Sequence, residues 1–206
     1  MLKAMPTSLP LRALIFTLAS LSFACLLGAF YGLWTMRVFG SCVMLPGTLA
    51  LVLLAWRSSS ETRRWIVLGA LGGLVAAVAY DLYRLPFVLA GAPLFKVFPR
   101  FGEMLLGTSE PRWAVQAAGW SYHFLNGAAL GVMFLAMVPS ASRTVLMWGA
   151  VVWALVVEAL LLITPYTSFL GLKLDGRFIF LTATAHAIFG IVLGLWCRAR
   201  VGLIRQ

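Results

Sequence analysis

Runs of about 20 mostly apolar residues recur along this 206-residue chain, and they restrict its fold more than any other feature. A helical run of that length crosses the hydrocarbon core of a bilayer. The runs are rich in Leu, Ala, Gly and Val, without the alternation of apolar and polar residues that transmembrane strands require. Because 62% of the residues are hydrophobic, the chain also differs from a soluble domain. The sequence therefore predicts an all-α, polytopic bundle in a lipid bilayer.

Charge breaks and prolines divide the chain into about six predicted transmembrane helices within a single domain. They cover residues 11–34, 38–56, 65–84, 113–137, 145–163 and 178–196. The stretch 85–112 contains four prolines and mixes aromatic with charged residues, which is typical of an interfacial or re-entrant element. The first apolar run is longer than the core of a secretory signal, about 7–15 residues, so we interpret it as a retained span.

Basic residues outnumber acidic ones by 16 to 6, which gives a net charge of +10. They lie at the ends of the apolar runs, where they serve topology and contact with anionic lipid, so nucleic-acid binding is not expected. Nine Lys and Arg residues fall on the side that holds both termini, against seven on the other. We therefore predict cytoplasmic termini in a bacterial-type inner membrane, with segment 85–112 on the outer side.

The two histidines of the chain, His123 and His186, are each followed by glycine at i+4 and i+8. These three positions share one helical face, so each His heads a row of glycines against which another helix can pack closely. The recurrence at a spacing of two helices fits either a parallel duplication or two separate packing motifs. Such Gly-x-x-x-Gly faces are also candidates for contact in a homo-oligomer.

Four ionisable residues, each on a different predicted span, are functional-site candidates: Asp81, His123, Glu158 and His186. A rise of about 1.5 Å per residue puts His123 about 16 Å, and His186 about 13 Å, from the outer ends of their helices. Glu158 lies inside the fifth span, and Asp81 lies near the outer end of the third, one turn before Arg84. Small residues share their helical faces, so we expect these side chains to meet in one outward-facing pocket.

Two imidazoles and a carboxylate are a common ligand set for Zn, Fe or Mn. His123, His186 and Glu158 are therefore candidate ligands of a divalent metal ion, with Glu158, Asp81 and Arg84 as candidate catalytic residues. Nearby polar side chains are predicted to orient the imidazoles or to contact a substrate: Tyr80, Tyr122, Asn126, Tyr166 and Thr182. This pattern favours a membrane metalloenzyme acting on a lipid-soluble or periplasmic small molecule, with segment 85–112 as its lid.

Two other functions remain open on the same residues. Imidazoles and buried carboxylates also serve as proton relays, which would suit a proton-coupled transporter of a small solute. The third possibility is a membrane assembly or scaffold protein whose ionisable groups only fix helix packing. In that case His123 would bond Glu158, and Asp81 would pair with Arg84 or with the outer loop.

Overall fold

The computed structural model describes residues 8–138 and 142–200, and this part of the chain is helical, without β-strands. The α-helices are α1 (Leu9–Phe30), α2 (Met36–Phe39), α3 (Leu45–Arg57), α4 (Ser60–Leu89), α5 (Val97–Leu106), α6 (Arg112–Met137), α7 (Arg143–Leu162), α8 (Tyr166–Phe169) and α9 (Gly176–Arg200). A π-helical turn, Gly40–Met44, joins α2 to α3 without a break, and a 3-10 turn, Pro93–Lys96, leads into α5.

Within the described residues, five helical stretches are long and apolar enough to cross a membrane. They are Leu9–Phe30, Met36–Arg57, Ser60–Leu89, Arg143–Leu162 and Gly176–Arg200. The prediction of a helical chain with several helices apolar enough to span a membrane is confirmed at this level. α6 has 26 residues, which is length enough for a crossing, but Ser121, His123 and Asn126 interrupt its apolar sequence and it is not among the five. The sixth crossing therefore stays a prediction.

The third predicted span is longer in the structure than its apolar run, because α4 extends past residues 65–84 at both ends. The Ser59 hydroxyl accepts a hydrogen bond from the Thr62 amide and caps the helix. Most of residues 57–64, between the second and third predicted spans, are therefore helical. At the other end the helix passes through Pro86 to Leu89. The segment expected to be interfacial therefore begins inside a helix.

The glycine rows after both histidines pack against helices of the same chain. A Cβ atom on Gly73 of α4 would overlap the carbonyl oxygen of Gly127 of α6, so these two backbones touch. On α9, a Cβ on Gly190 would lie 2.6 Å from the Cα of Val151 on α7. The close packing predicted for these glycines is thus present, between α4 and α6 and between α7 and α9.

Segment 93–106 packs on α6 near its first turns. A Cβ on Gly102 would overlap the carbonyl oxygen of Val115, and one on Gly119 would overlap that of Phe98. The segment is therefore held against the bundle by direct backbone contact, and Leu94, Val97 and Phe98 are buried. By contrast, α3 packs at the edge of the bundle and leaves much of its apolar surface exposed.

Candidate functional site

A cavity of about 100 Å³ lies in the bundle, with walls from α1, α4, α5, α6, α7, α8 and α9. Both histidines border it, and so do most of the other polar residues singled out in the sequence: Tyr80, Arg84, Asn126, Glu158, Tyr166 and Thr182. The remaining wall is mainly apolar and aromatic, including Phe98, Trp153 and Phe189. The structure therefore gathers side chains from both halves of the sequence around one buried space.

Asp81 of α4 and His123 of α6 form the first imidazole–carboxylate pair. The His123 Nε2 and Asp81 Oδ2 atoms are 2.8 Å apart. The other carboxylate oxygen, Oδ1, lies 3.5 Å from Nη1 of Arg84, and Nη2 of Arg84 donates to the Leu94 carbonyl. Asp81 thus sits between an imidazole and a guanidinium, and the backbone of segment 93–106 holds the guanidinium from its other side.

Aromatic rings surround the Arg84 guanidinium. Its central carbon lies 4.7 Å from the ring centre of Tyr80, 5.3 Å from Phe95 and 5.7 Å from Phe98. The Phe98 ring also lies 4.5 Å from the His123 ring. Cation–π contacts offset part of the desolvation of a buried cation. The sequence analysis missed Phe95 and Phe98 as site residues, although the aromatic-rich stretch from Phe95 to Phe101 was a visible signal.

Glu158 of α7 and His186 of α9 form the second pair. The His186 Nδ1 atom lies 2.9 Å from the carbonyl oxygen of Thr182 and 3.1 Å from Glu158 Oε2. Both neighbours are acceptors, so Nδ1 carries the proton and donates. Within the described residues, no Lys or Arg lies within ion-pair distance of Glu158. Its charge therefore has only the imidazole as a partner, although Glu158 is just 5% exposed.

Each imidazole is held through one ring nitrogen and keeps the other available. The described residues provide no hydrogen-bond partner for Nδ1 of His123 or Nε2 of His186. A carboxylate or carbonyl on one nitrogen fixes the tautomer and leaves the other nitrogen as a base or a metal ligand. The Tyr80 ring is near both imidazoles, 6.1 Å from the His123 ring and 5.0 Å from the His186 ring.

The predicted supporting residues divide into those that reach the cavity and one that does not. Thr182 contributes its backbone carbonyl, because its hydroxyl donates to the Phe178 carbonyl. Tyr166, in the connection before α9, borders the cavity as a neutral phenol, since burial raises the pKa of its hydroxyl. Tyr122 does not line the cavity, and its hydroxyl donates to the Ser22 carbonyl at 2.7 Å.

Two expectations about the ionisable groups need correction. The pairing of His123 with Glu158 is wrong, because Asp81 occupies that position and Glu158 pairs with His186. The predicted metal-ligand set is therefore divided between two pairs. Across residues 8–138 and 142–200, no three His, Cys, Asp or Glu side chains converge as metal ligands.

No protein-family model, curated protein or solved structure matches the chain. The fold and the site therefore define it by class alone. Residues 8–138 and 142–200 form helices, several of them able to span a membrane, with a cavity bordered by two imidazoles, two tyrosines, a glutamate and an arginine.

Proposed function

We propose that this chain is a proton-linked carrier of a small solute in a cell membrane. One observation carries the proposal: both imidazoles border a single cavity, and each is oriented by a carboxylate or carbonyl while its second nitrogen is free. Such a nitrogen accepts a proton, and the carboxylate stabilises the imidazolium that forms. A solute that enters the same cavity changes the electrostatic potential at both imidazole–carboxylate pairs. Its binding is therefore coupled to proton uptake.

The proton-exchanging group in this proposal is the pair of Glu158 and His186. The charged and titratable groups that face it are Tyr80, Arg84, His123 and Tyr166, all on the cavity wall. Charges interact strongly where water is scarce, so one proton more or less in the pair alters the affinity for any charged solute. The asymmetry between the two carboxylates supports this assignment, since Asp81 already has a permanent cation beside it.

The membrane placement is part of the proposal. α6 would be the sixth crossing, because its 26 residues suffice for the bilayer and its polar side chains face the cavity and neighbouring helices. Six crossings bring both termini to the same side. The excess of Lys and Arg on that side favours the cytoplasm, with segment 93–106 toward the outside of a bacterial-type inner membrane.

A membrane metalloenzyme is the second candidate, favoured by the same free nitrogens. His123 and His186 would bind a Zn, Fe or Mn ion through Nδ1 and Nε2, and Glu158 would approach it only after rearrangement. Metal analysis of the purified protein tests this reading. If the wild type binds metal and both His123→Ala and His186→Ala lose it, the result favours the metalloenzyme over the carrier.

Proton movement in reconstituted vesicles tests the carrier. Vesicles that enclose a pH-sensitive dye receive pools of small amines, carboxylic acids, amino acids and sugars. We expect at least one pool to move protons through the wild-type protein, and Glu158→Gln to abolish the signal because the exchangeable carboxylate is gone. Glu103→Gln is the matched control, since Glu103 is a half-exposed carboxylate paired with Arg100 away from the cavity.

The carrier is excluded if no pool changes the dye signal, or if Glu158→Gln and Glu103→Gln respond alike. Folding of every variant is checked by its elution in detergent and by its helical circular dichroism, so that loss of signal is not loss of protein.

A further inference from the structure

Four buried polar atoms have no hydrogen-bond partner in the described part of the chain: Asp81 Oδ1, Arg84 Nε, Asn126 Oδ1 and Glu158 Oε1. Asp81 Oδ1 has an ionic partner in Arg84. The other three belong to residues that border the central cavity. Arg84 and Glu158 are 4% and 5% exposed. Buried polar atoms in proteins are nearly always paired, so three of them around one space indicate a polar occupant.

The three atoms require opposite kinds of partner. Arg84 Nε is a donor on a cation, whereas Glu158 Oε1 and Asn126 Oδ1 are acceptors. A simple anion would satisfy Arg84 and leave the two acceptors unpaired. A simple cation would do the reverse. Separate water molecules, each both donor and acceptor, satisfy the atoms one by one, and a single larger occupant that matches the whole set carries an acceptor at one end and donors at the other.

The Tyr80 ring sets the spacing between the two ends. Its centre lies 4.7 Å from the Arg84 guanidinium carbon and 5.0 Å from the ring centre of His186, which contacts Glu158. Arg84 and His186 are therefore no further apart than the sum of these two distances. This upper limit suits a molecule with only a few bonds between its opposite charges. The cavity of about 100 Å³ also exceeds the space that a single water molecule occupies.

Charge balance also favours a net-neutral occupant. Arg84 offsets Asp81, and the Glu158–His186 pair is neutral once it has taken up one proton. A solute that carries both charges preserves this balance, whereas an added single charge would be uncompensated in a medium of low dielectric. The apolar wall between the two ends, including Val157 and Phe189, suits a short hydrocarbon spacer.

We infer that the cavity binds a small zwitterion, with its anionic group against Arg84 and its amino group against Glu158 and Asn126. The inference deepens the proposed function and rests on it only for the coupling to protons. Binding itself does not require transport, so the two can fail separately.

Thermal unfolding of the detergent-purified protein tests binding with defined probes. The probes are the unbranched ω-amino acids from glycine to aminovaleric acid, each compared with the amine and the carboxylate of the same chain length. We expect one ω-amino acid to raise the melting temperature in a saturable way, with an apparent affinity at least tenfold above that of its matched amine and carboxylate.

Two variants remove one end of the site each. Arg84→Lys keeps the buried charge but has no donor equivalent to Nε, and Glu158→Gln removes the anionic acceptor. Each should weaken the zwitterion at least tenfold. Arg84→Lys should retain the weak binding of the amine, and Glu158→Gln that of the carboxylate. Arg100→Gln is the control, because Arg100 is an exposed cation outside the cavity and should leave binding unchanged.

The inference is overturned if no ω-amino acid exceeds its matched amine and carboxylate, or if both cavity variants bind the zwitterion like the wild type. Zwitterion binding without proton movement in vesicles would support the inference and contradict the carrier. Proton movement driven only by another solute class would support the carrier and contradict the inference. Asn126→Leu adds a milder variant should Arg84→Lys fail to fold.

Discussion

The two imidazole–carboxylate pairs border the same cavity but balance their charges differently. Asp81 lies between His123 and Arg84, so a permanent cation accompanies its negative charge. Glu158 has only His186 within ion-pair distance among the described residues. An uncompensated charge is costly where water is scarce. The comparison indicates that the first pair is a fixed structural centre and that the second changes its charge by holding or releasing a proton.

The helices that carry the two imidazole–carboxylate pairs also differ in how closely they pack. Asp81 and His123 join α4 and α6, whose backbones touch at glycines on both helices, Gly73 and Gly127. Glu158 and His186 join α7 and α9, where Gly190 packs against Ala150 and Val151. Both contacts meet backbone atoms, but a Cβ on Gly73 would overlap the Gly127 carbonyl oxygen, whereas one on Gly190 would lie 2.6 Å from the Val151 Cα, so we expect the first and closer contact to be the more rigid.

Removal of the Asp81 charge should have the largest effect on stability. Asp81→Asn leaves the Arg84 guanidinium buried with no carboxylate, and breaking a buried ion pair in this way costs about 3–5 kcal/mol. Denaturant unfolding of the detergent-purified protein measures the loss. The double variant Asp81→Asn with Arg84→Gln should recover part of it. A double variant no more stable than the single one would contradict the role of Asp81 as the counter-ion.

Alanine at the glycine contacts should have the next largest effect. Gly73→Ala places a methyl group on the Gly127 carbonyl, and Gly190→Ala places one 2.6 Å from the Val151 Cα. Overpacking of this kind costs about 1–3 kcal/mol, and we expect Gly73→Ala at the upper end. The same unfolding measurement applies. Gly176→Ala is the control, because a Cβ there has no neighbour within 4 Å. Equal losses of stability in Gly73→Ala and Gly190→Ala would contradict the expected difference in rigidity between the two helix contacts.

Neutralisation of Glu158 should have the smallest effect on stability and a large one on the response to pH. Glu158→Gln keeps an acceptor for His186 Nδ1, so the free energy of unfolding should change by only about 1 kcal/mol. Infrared difference spectra between about pH 8 and pH 5 record protonation of imidazole and carboxyl groups. The variant should lose the carboxyl band and keep the imidazole bands. An unchanged carboxyl band would assign proton exchange to another acid, with Asp81 the first to examine.

Much of the helical architecture could be predicted because it depends on local pattern. The apolar runs predicted the membrane-type helices, although Ser59 capped α4 earlier than the first apolar residue suggested. The i+4 and i+8 glycines correctly predicted close helix contacts. The polar residues on the same faces proved to be buried or part-buried, since a row of small residues draws a neighbouring helix onto that face.

The composition of the site was only partly predictable. The carboxylate partner of His123 was predicted incorrectly. Asp81 is 42 positions away in sequence, and no local signal encodes that contact. Tyr122 was included on sequence proximity to His123, yet one position along a helix rotates a side chain by about 100° and turned its hydroxyl to Ser22. The aromatic residues of segment 93–106 became part of the site only through the packing of α5 on α6.

The sequence by itself determined that this chain forms apolar helices, where they lie, and which face of each carries glycine and ionisable residues. These properties follow from composition and from the 3.6-residue period of the helix. Only the tertiary structure decided that Asp81 serves His123 and Arg84 together, that Glu158 is left to His186, and that both imidazoles, Arg84 and Glu158 border one cavity. The reason is that helical periodicity fixes directions within one helix, whereas the neighbour in each direction depends on the close packing of segments far apart in the chain.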